Sequence, residues 1–82
     1  MKTDYKYIHF EKTEQFIVGC MPIYECKNNK KGTVLGFIFF YPNWRQYCFT
    51  QKESDVVFSL DCLEDIIDFL KQLNKERNDN QT

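Results

Sequence analysis

Two sets of side chains in this sequence are of types that could do chemistry. The first can move protons or bind metal: the single histidine His9, the four cysteines Cys20, Cys26, Cys48 and Cys62, and the acids Asp61, Glu64, Asp65 and Asp68. Nucleophilic catalysis needs a serine or cysteine close to its base, and none stands near His9 in the chain, so His9 reads as a strand surface residue beside tyrosines. A zinc site needs closely spaced ligand pairs, and the cysteines contain no C-x-x-C. They read as buried free thiols, with a disulfide under oxidising conditions as the alternative. Glu64 and Asp65 are adjacent and splay apart on a helix, while Asp61, Asp65 and Asp68 share a solvated helix face. The sequence therefore predicts a protein that is not an enzyme and that uses no metal and no cofactor.

The second set is aromatic and cationic. Phe40, Trp44, Arg45, Tyr47 and Phe49 lie within ten residues of one another, and Tyr, Trp and Arg are the types enriched at binding hot spots. Arginine among aromatic rings also makes a cation–π platform. These five residues are the expected binding surface, and a protein is the expected partner, a second copy of this chain included. A nucleotide-like ligand or single-stranded nucleic acid stacked on the same rings is the alternative reading. Eleven Lys plus Arg against twelve Asp plus Glu give no excess positive charge, which argues against a grip on duplex phosphate. The run Leu35-Gly36-Phe37-Ile38-Phe39 is similar to the aromatic strand of an RNA-recognition motif. It departs from that motif at Leu35, where the motif has a basic residue, and in offering one helix where that fold needs two.

These side chains are positioned by a hairpin. The stretch from Val34 to Thr50 has β-branched and aromatic residues on both arms and Pro42 preset for the first turn position. With Pro42-Asn43 as a two-residue loop, Tyr41 faces Trp44, Phe39 faces Gln46, Phe37 faces Cys48 and Leu35 faces Thr50. The other face pairs Phe40 with Arg45, Ile38 with Tyr47 and Gly36 with Phe49. Leu35, Phe37, Phe39 and Cys48 are then expected to form the core wall, leaving Phe40, Arg45, Tyr47 and Phe49 on the second face. Upstream, Tyr5 to Glu11 reads as a first strand with Ile8 and Phe10 on one side and Tyr5, Tyr7 and His9 on the other. Phe16 to Lys27 reads as an edge or bent strand interrupted by Gly19 and Pro22. Asn28-Asn29-Lys30-Lys31-Gly32 is a turn. Val56-Val57-Phe58 is a short fifth strand or an extended lead into a helix.

The apolar residues Leu63, Ile66, Ile67, Leu70 and Leu73 recur at helical spacing, predicting an amphipathic helix over 61–75. Ser59 or Asp61 can cap it, and Asp61 with Glu64 forms a capping-box pair. Residues 76–82 have nothing to bury and are expected to be a disordered tail after a single domain over 1–75. The fold class is α+β in two layers: an antiparallel meander of four or five strands with one C-terminal helix packed on one face. One helix cannot cover two faces, so the second is open to solvent, capped by the N-terminal segment or buried on another molecule. No apolar run reaches the roughly 20 residues of a membrane span, and the first residues lack a signal peptide's apolar core, which predicts a cytoplasmic protein.

From Glu25 to Leu73 the chain resembles a group of small uncharacterised proteins encoded by bacteriophages and prophages. The resemblance rests on Trp44-Arg45-Gln46-Tyr47-Cys48-Phe49, on Val57-Phe58 and on Cys62-Leu63-Glu64-Asp65-Ile66-Ile67. The turn before the tryptophan is often Gly-Pro in that group, where this chain has Pro42-Asn43. The resemblance implies no activity. It implies a mobile-element setting in a bacterial host, where small accessory proteins act by binding host proteins or signals.

Overall fold

A computed structural model describes residues 1–19 and 21–79, without the side chains at positions 17, 18, 78 and 79. Its order is β1 (Ile8–Val18), β2 (Met21–Asn28), β3 (Val34–Tyr41), β4 (Gln46–Gln51) and α1 (Leu60–Asp79). The strands form one open antiparallel sheet in chain order, β1-β2-β3-β4. The helix lies across one face, so the two-layer α+β class is as expected, with four strands.

Gly19 does not interrupt a strand but ends one. With φ at +51° it takes the left-handed conformation that the reversal between Val18 and Met21 requires. The expected Phe16–Lys27 strand is thus divided between β1 and β2. Pro22 costs the sheet little, because β2 pairs with β3 only from Tyr24 onward and Pro22 lies opposite the irregular end of β1. The Asn28 turn forms as its residues predict: the Asn28 side-chain oxygen accepts from the Lys30 and Lys31 amides at 2.8 and 3.0 Å, and Gly32 adopts φ +71°.

The central hairpin has a longer loop than its sequence suggests. Tyr41 pairs with Gln46, so Pro42, Asn43, Trp44 and Arg45 all lie in the loop. Trp44 N–H donates to the Tyr41 carbonyl at 3.1 Å, closing a turn with Pro42 in its second position, and Arg45 follows at φ +52°. The register is therefore two residues off the expected one: Phe39 faces Cys48, Phe40 faces Tyr47 and Ile38 faces Phe49. A two-residue shift keeps each side chain on its expected partners' face.

What the structure reverses is which face is the core. Ile8, Phe10, Tyr24, Cys26, Ile38, Phe40 and Tyr47 are buried with Ile66, Phe69 and Leu73 of the helix. The sheet strands decide this jointly. Across β1 and β2, His9, Glu11, Glu25 and Lys27 all fall on one face, and the pairings Tyr24–Ile38 and Glu25–Phe37 carry that polarity into β3. Phe69 is the centre of the core, stacked on Phe10 at 4.1 Å and edge-on to Tyr24 at 5.2 Å. Each such buried ring contributes roughly 1.5–3 kcal/mol.

Ser59 caps the helix, its hydroxyl accepting from the Cys62 amide at 3.2 Å. The helix continues to Asp79, past the expected end at residue 75, because Arg77 reaches back over the Phe40 ring at 4.7 Å. Residues 80–82 lie outside the described residues. Val56–Phe58 forms no strand; it is the extended lead, with Phe58 edge-on to Phe49 at 5.3 Å. The N-terminal segment does not cap the second sheet face. Phe10 N–H donates to the Thr3 carbonyl and Tyr5 N–H to the Ile8 carbonyl, which shields the outer edge of β1. The Tyr5 hydroxyl then donates to Asp68 at 2.7 Å, tying this segment to the helix flank.

Candidate interaction surface

The five residues expected to form one surface are divided by the sheet. Phe40 and Tyr47 are only 8% exposed, packed edge-to-face at 5.9 Å beneath the helix. Phe49 is half-buried on that same side and lies across Gly36: a Cβ built on Gly36 would stand 2.6 Å from the ring. Trp44 and Arg45 are exposed in the loop. The cation over Phe40 is Arg77 rather than Arg45. Sequence periodicity missed this because both faces of β3 are apolar.

The uncovered face carries a different aromatic row. Phe37, Phe39 and Tyr41 alternate onto it from β3, with Cys48 of β4 opposite Phe39. Phe39 meets Tyr41 edge-on at 6.2 Å, and Tyr41 meets Trp44 edge-on at 5.2 Å. These contacts make a continuous line of three rings from mid-sheet to the loop. The inner rings are half-buried by one another, while Trp44 is 67% exposed. Phe37, Phe39 and Cys48 are among the residues expected from the sequence to form the core wall, and they lie on the uncovered face instead. The signal that would have found them is Glu25 and Lys27, whose face must be the open one.

A polar border runs beside this row on β1 and β2. His9 Nε2 lies 2.7 Å from Glu11 Oε2, and Lys27 Nζ donates to Glu11 Oε1 at 3.2 Å. Glu25 stands 4.0 Å from Lys27. His9 Nδ1 lies 2.6 Å from the Asn29 side-chain oxygen, whose amide nitrogen is committed to the Tyr5 carbonyl at 2.7 Å. Both imidazole nitrogens therefore face acceptors, an arrangement fully satisfied only by the protonated ring. The bonds to Glu11 and then Asn29 raise the His9 pKa above its ordinary value of 6.5, and the His9 bond lowers that of Glu11.

Cys26, Cys48 and Cys62 are free thiols, and Cys20 lies outside the described residues. Burial pushes the Cys26 thiol up to about 12, so it is an unreactive core group at neutral pH. Among the described residues no group of three or more His, Cys, Asp or Glu side chains is placed to hold a metal ion. None of the described helices is long and apolar enough to cross a membrane. Comparison with protein-family models, curated proteins and solved structures gives no match for this chain.

Proposed function

We propose that this chain is a non-enzymatic accessory protein of the phage or prophage type that binds another protein on its open sheet face. Phe37, Phe39, Tyr41 and Trp44 supply the contact. The observation that carries this reading is the line of rings Phe39–Tyr41–Trp44 on a face that no element of the described residues covers, ending in a tryptophan 67% exposed. A half-buried aromatic row with an exposed Trp at its end and a polar rim has the make-up of a protein-binding patch. The resemblance of residues 44–49 to phage-encoded proteins supports the genomic setting.

A stacked nucleotide or single strand is the weaker reading. The cations beside the row, Lys27 and His9, are engaged with Glu11, so that border offers little to a phosphate. The test compares immobilised wild-type protein with Trp44→Ala in extract from a bacterial host. A protein retained by the wild type and lost with Trp44→Ala, at unchanged melting temperature, supports the reading. Identical retention by both rejects it.

A further inference from the structure

We infer that a second, separate surface joins two copies of this chain: the flank of α1 that overhangs β4. The helix buries Ile66, Phe69 and Leu73, yet Leu60, Leu63 and Ile67 remain 70%, 43% and 50% exposed. Together with Leu70 and Asn74 they recur at intervals of three and four, which is the seam of a helix that packs on another helix. The seam points to the β4 side, since Asn74 bonds the Tyr47 backbone and Tyr5 and Gln72 hold the opposite flank.

Three features make a second copy the occupant. The first is shape. The N-terminal half of the seam projects Leu60 and Leu63, while the C-terminal half borders a groove of about 570 Å³ lined by Gln46, Tyr47, Ile67, Leu70, Lys71 and Asn74, with Lys75 at its rim. A two-fold axis near Ile67 places Leu63 of one copy, four residues before it, at the level of Lys71 of the other, four residues after. Leu60 then comes level with Asn74. Each copy's leucines enter the other's groove, as a two-fold interface requires.

The second feature is charge. Asp61, Glu64, Asp65 and Asp68 make the first half of α1 strongly acidic, whereas Lys71, Lys75 and Arg77 outnumber Glu76 and Asp79 in the second and leave it weakly basic. Glu64 and Lys71 flank the seam beside Ile67. Antiparallel apposition sets the acidic half against the basic half of the other copy, with Glu64 beside Lys71, whereas parallel apposition opposes like charges. The third is independence: this flank lies on the opposite side of the sheet from Phe39, Tyr41 and Trp44, so a dimer presents two open aromatic faces.

Sedimentation equilibrium of the purified protein up to about 0.5 mM tests this. The expected result is a concentration-dependent dimer that Ile67→Glu weakens by about 30-fold or more, with the far-UV circular dichroism unchanged. Glu64→Lys is expected to weaken it several-fold, and adding Lys71→Glu to restore it, a recovery that loss of folding cannot imitate. A monomer throughout overturns the inference. So does a dimer that keeps its affinity in Ile67→Glu, or one abolished by Trp44→Ala, which would place self-association on the sheet face.

Discussion

The side-chain amide of Asn74 pairs with the backbone of Tyr47 as a neighbouring strand would. Tyr47 N–H donates to the Asn74 oxygen at 2.7 Å, and the Asn74 nitrogen donates to the Tyr47 carbonyl at 3.3 Å. A helix residue thus satisfies the outer edge of β4, which among the described residues has no strand beside it. It also fixes how far the helix sits over that edge.

Asn74→Ala removes both of these bonds to the Tyr47 backbone. Urea denaturation should show a loss of about 1–3 kcal/mol. Asn74→Asp should recover less than half of that loss, because a carboxylate can accept from Tyr47 N–H but repels its carbonyl.

Gly36 is required by close approach. Any Cβ there meets the Phe49 ring and the Thr50 carbonyl oxygen, the latter being backbone that cannot move without shifting β4. Gly36→Ala is expected to destabilise by about 1–3 kcal/mol, and pairing it with Phe49→Leu should recover part of the loss by clearing the ring.

Arg45 is the one non-glycine residue at positive φ among the described residues. A side chain in this conformation carries a steric cost that glycine avoids, so Arg45→Gly should stabilise the fold by about 0.5–1 kcal/mol. The melting temperature should rise by several degrees. A fall instead would mean that the arginine side chain contributes to the loop.

The His9 network makes stability depend on pH. Glu11 and Asp4 face His9 from its own strand and the segment bridged to it, Lys27 from β2, and Asn29 from the turn after β2. Because the folded pKa of His9 is raised, its stabilisation is complete below the unfolded value of 6.5 and is lost as pH rises through the folded value. Glu11 has the opposite sense: its lowered pKa stabilises above the ordinary 4.5 and is lost as pH falls through the folded value. Wild-type stability should therefore decline as pH rises above 6.5 and through the raised folded value of His9. His9→Gln should flatten that slope, as followed by chemical denaturation across the range.

The local elements were legible in the sequence wherever one side chain or one period governs them. Helical spacing located α1, Asn28 and Gly32 located one turn, and Pro42 located another, since each acts through its own backbone or its nearest neighbours. The helix end was misjudged because Arg77 is held by Phe40, 37 residues earlier in the chain. Gly19 was read as a weak point in a strand because its left-handed φ serves a reversal that only the pairing of β1 with β2 reveals.

The composition of the central hairpin by itself determined that the sheet would have two apolar faces of which the helix covers one, leaving the other to solvent, the N-terminal segment or another molecule. Which face that is was decided by the tertiary structure. β3 is apolar on both sides, so its own pattern balances; the polar residues His9, Glu11, Glu25 and Lys27 break the tie through strand pairing. That pairing sends Phe40 and Tyr47 under the helix and leaves Phe39, Tyr41 and Trp44 outside.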